Sequence, residues 1–175
     1  MSRYRWLIYA AVLGVAALVL APFFVTRSSR PAGPEGLAGL PAPVFALSDD
    51  RGAAVSLAQE RGKIVVINLW ASWCPPCRAE MPDLQRLAGT YASRGVSVVG
   101  VNEGESAQRA RAFARSLRIA FPIWLDDQMR YGRAFSALGM PTTVIVGRDG
   151  VVARGFDGAL TYDQMRDAVA GLLGP

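Results

Sequence analysis

The longest apolar stretch of the chain runs from Trp6 to Thr26 and carries no charge, about the length a helix needs to cross a ~30 Å hydrocarbon core. A secretory signal would have a shorter apolar region and a small-x-small cleavage site. The nearest such pattern, Val19 to Ala21, is followed by Pro22, so a retained signal-anchor is the preferred reading. Beyond it the pattern changes to short runs. KIVVINLW (Lys63–Trp70) is nearly continuous, β-branched and apolar, as in a strand buried on both faces. SVVGVN (Ser97–Asn102) is a second such run, and Met81, Leu84, Leu87 and Ala88 recur between them at helical spacing. A strand, helix, strand unit with parallel pairing is expected.

Ala110, Phe113, Ala114 and Leu117 mark the apolar stripe of another helix, with Arg111, Arg115 and Arg118 on a different face. That row is read as a solvated face in preference to a docking patch. TTVIV, GRDG and VVAR (residues 142–154) predict a hairpin whose four-residue connection ends in Asp149-Gly150. TYDQMRDAVAGLL opens with Thr161 and Gln164 at capping-box spacing and continues as an amphipathic helix. The class is mixed α/β.

Composition divides the chain further. Residues 27–43, RSSRPAGPEGLAGLPAP, are rich in Pro and Gly without apolar period and predict a flexible tether. The organisation is then residues 1–26 as cytoplasmic tip and transmembrane anchor, 27–43 as linker and 44–175 as one domain large enough to bury its own core. The formal charge of +5 is misleading, because four of the nineteen Lys and Arg and none of the fourteen acids precede Pro31. The remainder is nearly neutral, which gives no electrostatic support for nucleic-acid binding. Cationic residues flank the apolar run on both sides, so the positive-inside rule leans only slightly toward a cytoplasmic N-terminus.

The two cysteines of the chain stand together in WCPPC, residues 73–77, and there is no histidine. Structural zinc needs four Cys or His ligands, available here only in a bridged dimer. A purely structural disulfide across so short a loop would contribute little chain entropy. A CxxC pair opening a helix after a buried strand is instead the redox-active thioredoxin arrangement. Cys74 at the helix N-cap would be the nucleophile, exposed and acidified by backbone N–H groups and the helix dipole, and Cys77 the buried resolving thiol. Pro75 and Pro76 delete two of the donors nearest the Cys74 sulfur. Strong oxidants of this class owe their power to a stabilised reduced form, so the loss predicts a reductant.

INLWASWCPPCRAEMPDLQRL (residues 67–87) resembles the membrane-anchored thioredoxin-like proteins of the TlpA and ResA type, relatives of the thioredoxins that reduce apocytochrome c. The likeness extends from PAPVFALSDDRGAAVSLAQERGK through GMPTTVIVGRDGVVARGFDGAL. It implies a thioredoxin fold with an added N-terminal β-hairpin and a central insertion, a periplasmic domain on the bacterial inner membrane, and a redox-active disulfide in place of any cofactor or metal. The implied partners are extracytoplasmic protein thiols and disulfides, such as apocytochrome c or copper-site assembly proteins, and a membrane electron donor of the DsbD or CcdA type. By position, Pro141 matches a cis-proline beside the active-site disulfide, Met140 would offer its backbone to substrate, and Trp73, Pro75 and Pro76 fall on the substrate-facing surface. Glu80 matches an acid that exchanges a proton with the resolving thiol; an ordinary solvated helix charge is the alternative. Where thioredoxins carry a buried acid six residues before the first cysteine, this chain has Asn68. The rival functions are a disulfide donor or isomerase and a Cu(I) metallochaperone, since two thiolates alone can hold Cu(I). A peroxidase would need a Pro-x-x-x-Thr-x-x-Cys setting that NLWASWC lacks.

Overall fold

Strand β3 (Ile64–Trp70) is buried along its whole length. Ile64, Val66 and Trp70 face one apolar cluster, and Val65, Ile67 and Leu69 face the other. Burial of both faces at period two is why this run shows no polar alternation. The computed structural model describes Tyr4 and residues 33–174. The expected anchor between Trp6 and Thr26 lies outside the described residues, among which no helix is long and apolar enough to cross a membrane.

Strands β1 (Leu47–Asp49), β2 (Ala54–Val55), β3, β4 (Val96–Glu103), β5 (Ile123–Asp126), β6 (Thr142–Val146) and β7 (Val152–Asp157) form a seven-stranded sheet of order β2-β1-β5-β4-β3-β6-β7. Its centre is the predicted parallel pair, β3 with β4 (Val96–Glu103), joined by α1 (Pro75–Tyr91). On the other side β6 (Thr142–Val146) runs antiparallel to β3 and forms a hairpin with β7 (Val152–Asp157). The hairpin connection is one residue longer than GRDG, because Gly147 N–H donates to Val151 O at 2.8 Å and Val151 N–H to the Asp149 side chain at 3.0 Å. Gly150 takes φ +78° in that turn, which favours glycine.

Two additions flank this core. β1 (Leu47–Asp49) and β2 (Ala54–Val55) are the N-terminal hairpin, and β5 (Ile123–Asp126) with α3 (Arg130–Ala134) is the central insertion, which supplies the strand between β1 and β4. α1, α2 (Ala107–Ser116) and α4 (Tyr162–Ala170) share the first apolar cluster through Leu84, Phe113 and Val169, among others; Tyr131 of α3 and Phe135 belong to the second. The α4 capping box between Thr161 and Gln164 is formed as expected. The arginine row is split: Arg115 and Arg118 are exposed, whereas half-buried Arg111 donates to the Asp50 carbonyl.

The tether assignment is corrected over its second half. Residues 34–37 form a 3-10 turn with Pro34 buried, and the chain then runs along β7. Gly39 N–H donates to Val152 O, Val152 N–H to Leu40 O and Ala42 N–H to Gly150 O, at 2.8–2.9 Å. Proline and glycine conceal this pairing because a sheet edge accepts residues that a central strand would not. Close approach is possible because residue 155 is glycine: a Cβ there would lie 2.4 Å from Pro34 O. Gly155→Ala is therefore expected to destabilise the protein by about 1–3 kcal/mol, read as a lower urea midpoint; an unchanged midpoint would mean that residues 34–42 are not held there.

Candidate active site

Trp70 ends β3 and Cys74 is the N-cap of α1, with Pro75 and Pro76 in its first turn. Prolines suit these positions, since their missing N–H groups would lie outside the helical ladder. The first N–H free to turn back is that of Cys77, and it donates to the Cys74 sulfur at 3.2 Å. Cys74 and Cys77 form a disulfide. The expectation of an exposed Cys74 is corrected: Cys74 is 3% exposed and Cys77 1%, because both pack into the apolar cluster beneath α1 with Met81. What stands out at this end of the molecule is Trp73, 64% exposed, with exposed Pro75 and Pro76 on the other side of Cys74.

The register of β3 with β6 sets the other wall. Leu69 pairs with Thr142 and Asn68 with Thr143, so Met140 and Pro141 precede β6 at the same end at which β3 releases the cysteine loop. The Met140–Pro141 peptide is cis. Gly158 N–H donates to Pro141 O at 2.8 Å, and Asp157 accepts from the Thr142 hydroxyl at 2.8 Å and from Leu138 N–H at 3.1 Å. This loop is thus fixed from β7.

Beneath the disulfide, the same register joins three polar side chains inside the sheet–helix interface. Asn68 Nδ2 donates to Thr143 Oγ1 at 3.0 Å, and the Thr143 hydroxyl lies 3.5 Å from Glu80 Oε1. Glu80 is 2% exposed, which discards the solvated-charge alternative. It sits three residues after Cys77, on the same helix face. Burial pushes its carboxyl up to about 7, against the lowering influence of the nearby Leu160 backbone, Thr143 and Asn68, with Asp83 adding to the rise. Glu80 Oε2 and Asn68 Oδ1 have no partner. A buried group left short of partners costs free energy when charged, so this carboxyl can take or release a proton near neutrality.

A second carboxylate was not singled out by the sequence. Glu105 follows β4 and reaches the cysteine loop. It accepts from Ser72 N–H at 2.6 Å, from the Ser72 hydroxyl at 2.6 Å and from Asn102 Nδ2 at 2.8 Å, with Arg109 at 3.8 Å. Burial works to raise its carboxyl, but Asn102, Ser72 and Arg109 outweigh it and hold the group below its usual range. Ser72 lies two residues before Cys74, so Glu105 positions the loop that carries the sulfur. The only trace in the sequence is a cluster of charge after the second parallel strand, which is uninformative until β3 and β4 are paired in register. Among the described residues no group of three or more His, Cys, Asp or Glu side chains is placed to hold a metal ion.

Removing the Glu105 carboxylate strands the two Ser72 donors. Glu105→Ala should cost about 2 kcal/mol or more of stability in the oxidised protein and speed amide exchange at Ser72. Glu105→Gln, which keeps one acceptor oxygen, should cost roughly half as much. Unaltered exchange at Ser72 in Glu105→Ala would mean that the loop is held by something else.

Residues 38–154 match the family model described as AhpC/TSA family. The thiol-disulfide oxidoreductase ResA of Geobacillus thermodenitrificans is 32% identical over 91% of this chain and 87% of its own length, and ResA of Bacillus subtilis is 34% identical over 78% and 76%. A thiol:disulfide interchange protein of the thioredoxin family from Chlorobium tepidum superposes with a TM-score of 0.69 at 30% identity, covering 77% of this chain and 96% of that one. With its cysteines paired at the N-cap of the helix that follows the central strand, the chain belongs to the AhpC/TSA family and, within it, to the thiol-disulfide oxidoreductases of the ResA type.

Proposed function

We propose that this oxidoreductase works as a reductant: an extracytoplasmic domain, tethered to the bacterial inner membrane by residues 1–26, that reduces disulfides of exported proteins such as apocytochrome c or copper-site assembly proteins. The observation that carries the direction is the proline pair. With N1 and N2 both lacking an N–H, the Cys74 sulfur accepts from Cys77 N–H alone among backbone donors of the first turn. A thiolate stabilised by fewer donors leaves the reduced form comparatively high in energy and ready to give up its electrons.

The Cys74 thiolate attacks one sulfur of a substrate disulfide held against Trp73 and the Met140–Pro141 edge. A mixed disulfide forms and the first substrate thiolate leaves. Cys77, deprotonated by the Glu80 carboxylate, then attacks the Cys74 sulfur; the second substrate thiolate leaves and the disulfide of the enzyme closes. Two electrons pass from the enzyme to the substrate, whose departing thiolates take one proton back from Glu80 and one from solvent, and a membrane dithiol donor of the DsbD or CcdA type returns the electrons. Buried Asn68 and Thr143 position Glu80 for its part.

The reduction potential of the Cys74–Cys77 couple in the full chain, equilibrated in thiol buffers and scored by alkylation, tests the direction. A value near or below about −270 mV is expected; one near about −120 mV would make the protein a disulfide donor instead.

The role of Glu80 has its own signature. A base with a folded value of about 7 is active when ionised, so exchange through Cys77 should rise with pH through that value. Glu80→Gln should flatten the rise and slow exchange at pH 8 by roughly 10²-fold. The same shift fixes the sign of the stability effect. The carboxyl rises from 4.5 unfolded to about 7 folded, so the stability present below 4.5 is lost as pH climbs through 7. Glu80→Gln should remove that part of the loss, and a pH–rate profile superimposable on the wild type would take Glu80 out of the mechanism.

A further inference from the structure

One side-chain oxygen ties both ends of the loop that carries the Met140–Pro141 peptide. Asp157 is the last residue of β7 and stands opposite Thr142 in the β6–β7 register. Its Oδ1 accepts from Leu138 N–H at 3.1 Å and from the Thr142 hydroxyl at 2.8 Å. Within that span Gly139 O accepts from the same hydroxyl at 2.7 Å, and Pro141 O accepts from Gly158 N–H at 2.8 Å. Met140, midway between Leu138 and Thr142, is the exception: no described residue hydrogen-bonds to its N–H or its C=O.

Packing does little to hold the first half of this loop. Leu138 is 78% exposed, and a Cβ added at Gly139 would meet nothing within 4 Å. The hydrogen bonds must therefore do it, and a carboxylate that accepts two of them is a stronger fastening than a neutral acceptor. Asp157 is exposed as a residue, yet its carboxylate has little room to turn. Residues 34–42 run along β7, and Gly33, just before them, passes over the acid: a Cβ there would lie 3.0 Å from Oδ2 and 3.9 Å from a Leu138 methyl carbon. The acid is thus held between the start of that segment and the loop it fastens.

A main-chain edge captures an extended polypeptide when its N–H and C=O are both unpaired and already in place. Met140 supplies the unpaired groups, and placement must come from its neighbours, because ordering a loose loop at the moment of binding costs affinity. We infer that Asp157 is the positioning residue of the substrate edge: through Leu138 and Thr142 it holds the Met140 main chain in the orientation that receives the segment beside the substrate cysteine. The inference rests on the reading of Met140 and Pro141 as that edge. Asp157 acts on capture of a polypeptide and has no part in exchange at sulfur. A disulfide without a peptide main chain gains nothing from it.

The test uses the full chain, reduced, and three disulfides: an end-capped cystine peptide, the same peptide with N-methylated amides on either side of the cysteine, and the disulfide of mercaptoethanol, which is too small to span the edge. Second-order exchange rates are scored by alkylation. The wild type should react faster with the peptide than with its N-methylated form. Asp157→Ala should slow the peptide by about tenfold, the equivalent of ~1.4 kcal/mol, and the mercaptoethanol disulfide by less than about twofold. Asp157→Asn, which keeps an acceptor oxygen for Leu138 and Thr142, should recover most of the peptide rate; an acid of merely structural importance would not separate the two disulfides in this way. An Asp157→Ala chain that keeps the peptide rate, or that slows both disulfides alike, would overturn the positioning role while leaving the oxidoreductase reading intact, and so would Asp157→Asn as slow as Asp157→Ala. A wild-type chain that does not distinguish the peptide from its N-methylated form would overturn the substrate edge itself, and the role of Asp157 with it.

Discussion

Two-sided burial of β3 is the constraint from which the active site follows. Because every residue from Ile64 to Trp70 is buried, this strand must occupy the middle of the sheet, with β4 parallel on one side and β6 antiparallel on the other. A parallel neighbour demands a crossover, and that crossover is α1. Its N-terminus must begin at the end where β3 stops, so the cysteines open the helix there. Antiparallel β6 begins at that same end, bringing Pro141 with it. One strand therefore sets the position of Cys74, Cys77 and the proline loop.

The acids around this end show how partners, more than burial, decide a carboxyl's state. Glu80, Glu103 and Glu105 all sit at or near the carboxyl end of the parallel strands, and burial raises each of them. Glu105 alone receives a full set of donors, from Ser72 and Asn102, and it alone ends below its ordinary range. Glu80 keeps one oxygen buried and unpaired, Glu103 has a single backbone donor, Gly132 N–H, and both are pushed up to about 7. The satisfied acid is a fastening, because a charge held by several hydrogen bonds resists movement. The other two are held where a proton can still change their energy.

These roles separate on the two faces of the sheet. Asn68, Thr143 and Glu80 lie on the helix side under the disulfide, and Glu103 lies on the opposite side, in the groove formed with the inserted α3. The inserted unit thus adds a wall beside the redox centre without altering it.

How much of this was legible in the chain depends on the range of the interaction concerned. Local patterns announced β3, β4, α1, the β6–β7 hairpin and the capped α4, because apolar period and turn chemistry act over a few residues. CPPC at the strand–helix junction identified the redox pair for the same reason, and resemblance supplied Pro141 and Glu80. Sequence alone could not show that Glu80 is buried, nor that residues 34–42 pair with β7, because both depend on the register of distant strands. It gave no sign that Glu105 would hold Ser72 or that Glu103 would face an apolar groove. Those meetings join segments about thirty residues apart, and only the pairing of β3 with β4 and the packing of α3 bring them within hydrogen-bonding distance. Local sequence determined the chemistry this protein carries; tertiary structure decided which carboxylates surround it, because desolvation and hydrogen-bond partners are properties of the assembled interior.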